Sequence, residues 1–429
     1  MTARIVRNDT EQRLTSRILY GRMAGKERDY MFDTFRGLLM LSIPISHFTK
    51  MTGNLYSSLY LGGGFPKETL FGFVYITINV FVMQAFMFLS GYFSKKPERA
   101  RETAFSTFMW PYLVFTFIYF LIRFAFFGTS HLTFLSPPFA LWFLFSLFFY
   151  RYFLVDMVKF KWLFPVAILL GLLAGQVEEW GDFLALGRTM SYFASFLIGY
   201  YCSAERLRWV QKLREHKVLL VLLGVLLVAV SIVLCYVGPN VGWYLLRESY
   251  HSFRITWWQD IVMRAIIMVV SCLWIVFCVN VIPSKKGFLA YVGANTMPVY
   301  MFHLTLRYVI KFYGLYIAFI GCLIVAWLGI ISLIYKKGKI SKTLYVVLEL
   351  ASIAGFTAMF ASGVLSPLYG GCPENIWLTY LVCYGGAVIC GVSFVTPFWV
   401  DLYDFLINGT NKLPMITRWL KGPGYQGED

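Results

Sequence analysis

Charge is what this sequence is short of. Only 14% of its residues are charged and 59% are hydrophobic, whereas soluble domains carry roughly 25% charge. An ordinary soluble globule is thereby excluded. Apolar runs of about twenty residues recur from end to end, the length an α-helix needs to cross the hydrocarbon of a bilayer. The short alternating segments of a membrane β-barrel are missing, so the chain reads as all-α, a polytopic transmembrane helical bundle. A cleavable signal peptide is also missing, because the first thirty residues are hydrophilic and rich in arginine. The eight cysteines show no metal-ligand spacing. Seven of them lie in or beside apolar runs as small packing residues, Cys372 falls in a loop, and no metal site is read. The cluster LGGGFPKE lacks the Lys-Ser/Thr ending of a phosphate-cradling loop and reads as a flexible turn. Acidic residues are the scarcer sign, 22 against 38 basic ones for a net charge of +16. The surplus sits in short connections between apolar runs. That pattern follows the positive-inside rule and implies contact with membrane lipids rather than nucleic acid.

The apolar runs give about twelve spans, near 31–50, 71–94, 104–127, 139–158, 162–176, 188–203, 217–237, 260–281, 294–312, 315–335, 343–365 and 377–398. With both termini cytoplasmic, the basic loops at 95–101, 159–161, 204–217, 284–286 and 336–342 all fall on the inner side. Residues 1–28 form a basic N-terminal segment, for which an amphipathic helix on the inner leaflet and a disordered tail both fit. Residues 399–429 form a polar cytoplasmic tail.

Ionisable residues inside the spans carry the functional signal. In RDYMFDTFRGLLMLSIPISH, covering 28–47, Arg36 and His47 are eleven residues apart. They share one helix face, with a rise of about 16 Å between them. Asp33 belongs to the same stripe, and Pro44 is expected to kink the helix one turn before His47. A satisfied Asp33–Arg36 pair with an interfacial histidine fits the spacing as well as a site does. Late in the chain, His303, Arg307 and Lys311 repeat every fourth residue and suggest a wet cavity. Arg151 and Asp156 are expected to pair or snorkel, and Glu349 to meet a basic partner. The aromatic-rich loop at 238–258 reads as an interfacial belt or as a platform for a sugar. His131 and His216 read as solvated.

Arg36 and His47, preceded by Arg28, Asp29 and Asp33, resemble the opening of the acyltransferase-3 family of integral membrane acyltransferases. FMFLSGYFSKK, Pro111-Tyr112, Trp142-Phe143 and the run from Pro298 to His303 agree with it in order, over about 30–310. The family commonly has about ten spans. The resemblance therefore implies an acyltransferase core over 29–335 and two additional C-terminal helices within 336–398. It implies transfer of an acyl group, usually acetyl, from cytoplasmic acyl-CoA to a hydroxyl of a carbohydrate or glycolipid acceptor, in a bacterial inner membrane. His47 would be general base or transient acyl carrier. His303, resembling the second family histidine, would position the thioester or stabilise the oxyanion. Arg36 with Asp33 would grip the coenzyme, with Arg99, Arg101 and Tyr300 as further donor-site candidates. A secondary transporter or flippase of a polar or lipid-linked substrate is the competing reading.

Overall fold

A computed structural model describes residues 29–128, 131–181 and 183–409. The basic segment 1–28 and the tail beyond 409 lie outside the described residues. The chain is helical throughout, with α1 at Tyr30–Tyr60, α2 at Leu70–Tyr92, α3 at Pro97–Ala104 and α4 at Trp110–Phe127. Next come α5 at Trp142–Met157, α6 at Leu163–Leu173, α7 at Leu186–Tyr201, α8 at Ala204–Gln211 and α9 at Lys217–Val237. The remainder are α10 at Trp257–Val281, α11 at Phe288–Ala294, α12 at Thr296–Lys336, α13 at Lys342–Ala361, α14 at Ile376–Ser393 and α15 at Pro397–Asp404.

Seven helices among the described residues are long and apolar enough to cross a membrane, so the chain is an integral membrane protein. Four of the twelve expected spans are not among them, for two reasons. Helix α1 has 31 residues, but Asp33, Arg36, His47 and Lys50 dilute its apolar run. Helices α5, α6 and α7 have 16, 11 and 16 residues, short of the ~20 a straight crossing needs. The ninth and tenth expected spans fall within the single element α12, whose 41 residues are broken at Gly314 with φ 87°. Unbroken, it would run about 60 Å, twice the ~30 Å hydrocarbon core. The break is held by the Leu315 N–H donating to the Gly371 carbonyl at 2.9 Å, and by Gly370 N–H donating to the Tyr313 carbonyl at 3.1 Å.

Two crossings of glycine against backbone set the frame. A Cβ on Gly37 would stand 2.0 Å from the Leu289 carbonyl oxygen, and one on Gly293 would stand 1.7 Å from that of Asp33. Helices α1 and α11 therefore touch backbone to backbone beside the Asp33–Arg36 pair. Helices α2 and α7 do the same through Gly91 and Gly199, each 1.9 Å from a partner carbonyl by the same measure. Helix α1 stays helical through Pro44, with no non-helical residue there. Pro111 lies at the second residue of α4, and the preceding turn, Phe105–Met109, widens into π geometry with Trp110 N–H donating to the Phe105 carbonyl.

The C-terminal helices divide in role. Helix α14 packs on α1 and α12. A Cβ on Gly391 would meet Leu41 at 2.7 Å, and one on Gly386 would meet Phe48 at 3.4 Å. The C-terminal end of α1 is tied to the loop before α14 by Tyr56 Oη donating to the Glu374 carbonyl at 3.0 Å and Tyr60 Oη to that of Cys372 at 2.9 Å. Helix α13 stays at the periphery, and Glu349 is its one buried residue.

Candidate functional site

Helix α1 brings His47, and the first leg of α12 brings His303, to a ring-centroid separation of 5.1 Å with planes 33° apart. The two lie 256 positions apart in the chain, so only the packing of α12 against α1 makes them neighbours. His303 is fully buried, and its Nδ1 lies 2.9 Å from the Val299 carbonyl oxygen one turn back. A carbonyl only accepts, so Nδ1 carries the proton of that bond. The other nitrogen, Nε2, is buried without a hydrogen-bond partner. In the neutral ring it is an open lone pair. His47 is half-buried.

The surroundings of the pair are fixed by further contacts. Tyr300 lies 6.1 Å from His303 between ring centroids, and its hydroxyl donates to the Ala140 carbonyl. On the other side of α1, Asn79 of α2 donates from Nδ2 to Ser46 Oγ at 2.9 Å and to the Tyr75 carbonyl at 2.7 Å. Lys50 Nζ stands 4.3 Å from the Phe65 ring centre. Arg307, one turn beyond His303, is close enough for its charge to act on both imidazoles. Lys311 is exposed and lies over the Phe312 ring at 5.0 Å.

A second station lies at the N-terminal end of α1. Arg36 Nη2 is 3.3 Å from Asp33 Oδ1, and Asp33 is 2% exposed. The guanidinium sits 5.0 Å over the ring of Phe93, which is half open to the surroundings and packs on Phe32 and Tyr92. Asp29 caps the helix by accepting from Met31 N–H at 2.9 Å. Since α1 is continuous, the Arg36 and His47 stations are separated by about 16 Å of helix.

Other expected site residues stand apart from the histidines. Arg101 of α3 pairs with Asp156 of α5 and donates from Nε to the Tyr152 carbonyl at 2.8 Å. Arg99 is exposed on the same short helix. Three expectations are corrected here. Asp156 pairs with Arg101 and Lys159 rather than Arg151, and Arg151 donates to Thr103 Oγ1 at 3.2 Å instead. Helix α3 runs beside α5, and spacing within α5 could not reveal that. Among the described residues Glu349 meets no basic partner, and both its carboxylate oxygens are buried without a hydrogen bond. In the aromatic loop, Trp243 and Tyr244 are 6% and 1% exposed. They are packing residues, which leaves Trp257 and Trp258 for a belt.

A buried ion pair went unread in the sequence. Asp260 Oδ2 and Arg264 Nε of α10 lie 2.7 Å apart and are 0% and 2% exposed. Trp243 Nε1 donates to Asp260 Oδ1 at 2.9 Å, and Arg264 Nη1 donates to Ser191 Oγ at 2.7 Å. The i,i+4 charges inside an apolar run were the signal that could have found it. The pair ties α7, α10 and the 241–245 turn together and is structural. Replacing Arg264 with Met strands a buried carboxylate, and we expect a loss of about 3–5 kcal/mol, read as a fall in detergent-solubilised unfolding temperature. Replacing the exposed Arg254 in the same way should leave that temperature unchanged.

Comparison with protein families matches residues 29–336 to the model described as "Acyltransferase domain". Among curated proteins and among solved structures nothing matches the chain.

Proposed function

The chain belongs to the acyltransferase-3 family, and from that premise we propose that it moves an acyl group, most simply acetyl, from cytoplasmic acyl-CoA to a hydroxyl of an envelope carbohydrate or glycolipid. Its place would be the bacterial plasma membrane, with both termini cytoplasmic. The juxtaposition of His47 and His303 within the bundle is the observation that carries this reading.

A hydroxyl is a poor nucleophile until a base relieves it of its proton as it attacks. His47, half-buried at the centre of the pair, takes that proton. The hydroxyl oxygen forms its bond to the thioester carbonyl carbon, the C–S bond breaks, and the departing coenzyme A thiolate receives the proton back from the His47 imidazolium. His303 supports this as an acceptor. Its Nδ1–H is committed to Val299, so its neutral Nε2 suits an N–H of His47 and sets which nitrogen of His47 faces the acceptor. The oxyanion role expected from the resemblance would require a proton on Nε2, so orientation of His47 is the role favoured by the Val299 bond. Tyr300 holds the His303 ring from the side.

Arg36 sits where the phosphates or pantetheine amides of the donor would arrive from the cytoplasmic side, with Asp33 fixing its guanidinium. Arg99, six residues beyond Phe93, offers a second cation, and Arg101 would contribute only after leaving Asp156. Removing a charge-assisted contact costs about 1.5–3 kcal/mol. Arg36→Ala is therefore expected to weaken coenzyme A affinity by at least tenfold in equilibrium binding, and unchanged affinity would take Arg36 out of the donor site.

The test of the reaction itself is release of free thiol from acetyl-CoA by the purified protein supplied with envelope glycans. Thiol release that depends on glycan supports the enzyme. Accumulation of an intact solute in proteoliposomes without thioester loss would replace it with a transporter.

A further inference from the structure

The lipid-facing surface carries an apolar groove of about 650 Å³ between α9 and α10. Leu220, Gly224, Val228 and Ile232 form one wall, and Trp274 and Phe277 the other. Helix α9 is the most apolar of the candidate crossing helices among the described residues, and most of its side chains are exposed or half-exposed. Gly224 opens the groove, since a side chain there would reach the Phe277 ring, 3.1 Å from a Cβ. Trp274 is held rigid by stacking on Phe81 at 4.8 Å.

The groove has a direction. From Leu220 to Ile232 is twelve residues, about 18 Å at 1.5 Å per residue. One leaflet contributes about half of a ~30 Å hydrocarbon core, or ~15 Å. The Leu220 end opens beside exposed Lys212 and Lys217, and the adjoining end of α10 leads to exposed Lys285 and Lys286. Glu215 is the acidic exception in that cluster. Arg214 locks this mouth, donating from its backbone N–H to Asn280 Oδ1 at 2.9 Å and from Nη2 to the Val279 carbonyl at 2.7 Å. Trp209, 71% exposed on the adjacent short helix α8, marks the depth of the interface.

We infer that the α9–α10 groove is a binding site for one anionic phospholipid, with an acyl chain along Gly224 and Val228 and its headgroup phosphate against Lys212 and Lys217. Water does not fill an apolar concavity of this kind, and the surrounding hydrocarbon supplies the chain. The basic mouth selects the headgroup, because juxtamembrane cations attract anionic lipid. The site stands clear of the histidine pair and does not depend on the acyl-transfer reading.

The test places the full chain in bilayer discs of equal parts phosphatidylglycerol and phosphatidylcholine, with a trace of phosphatidylglycerol bearing a photoreactive acyl chain. Crosslinks mapped by mass spectrometry are expected to concentrate between 220 and 232 and between 274 and 281. Gly224→Leu, which fills the groove, should cut them about fivefold. The Lys212→Gln, Lys217→Gln pair should abolish the preference over a photoreactive phosphatidylcholine while leaving the chain contact. Crosslinks spread evenly over the apolar belt of the unaltered chain would overturn the inference. So would equal labelling by the two lipids, or chain-to-chain crosslinks through the groove, which would assign it to a second copy. If Gly224→Leu does not fold, the mapping on the unaltered chain decides alone.

Discussion

Replacing His47 with alanine is expected to lower acyl transfer by about a hundred- to ten-thousand-fold, the range general-base removal produces. The loss should appear in kcat. Arg36 and the donor station lie about 16 Å along the helix from His47, so coenzyme A affinity should be nearly unchanged. Folding should survive, because His47 is only half-buried. Alanine is also a better helix former than histidine. Thiol release from acetyl-CoA, with coenzyme A binding measured on the same preparation, separates a lost base from a lost fold. Full activity in His47→Ala would remove the proposed base.

The second large effect is structural and comes from a single methyl group. In Gly293→Ala the new Cβ would lie 1.7 Å from the Asp33 carbonyl oxygen, which is backbone and has no rotamer to escape into. Helices α1 and α11 must part, and with them the backbone that carries Asp33 and Arg36. Overpacking of this kind costs about 1–3 kcal/mol or more. A marked fall in unfolding temperature is expected, together with weakened coenzyme A binding. Gly91→Ala and Gly199→Ala, at the α2–α7 crossing, should destabilise similarly without touching the donor station directly. Gly355 of α13 supplies the contrast, since nothing lies within 4 Å of a Cβ there. Gly355→Ala should be neutral or stabilising, because glycine costs a helix interior about 0.5–1 kcal/mol relative to alanine. Equal destabilisation at Gly293 and Gly355 would mean the crossing does not limit stability.

Local pattern made some of this legible in advance. The Asp33–Arg36 pair and the face carrying His47 follow from helical periodicity within one segment, and the His303–Arg307 stripe follows in the same way. What periodicity cannot supply is which helix lies beside which. The approach of His47 to His303 depends on α12 packing along α1, and the partner of Asp156 depends on α3 running beside α5. The span count is supported only in part, for a different reason. Composition marks 139–158, 162–176 and 188–203 as apolar, but the helices there are short, and hydropathy does not report where a helix stops. The C-terminal helices stand outside the expected core because the resemblance implies about ten spans, yet α14 packs on α1 and α12. Their contribution is packing, through Gly386 and Gly391 against the flank of α1. A basic partner for Glu349, expected from the general expense of buried carboxylates, is absent among the described residues.

The account stands or falls on whether the two imidazoles work as one unit, and a double-substitution cycle measures this directly. Rates of glycan-dependent thiol release are compared for the parent protein, His47→Ala, His303→Ala and the double variant. Residues that share one proton-handling task are strongly non-additive. The double variant should therefore be no slower, within error, than His47→Ala alone, and coenzyme A should still bind all four proteins. Losses that multiply, or a His303→Ala protein as fast as the parent, would mean that the second ring is only packed beside the first.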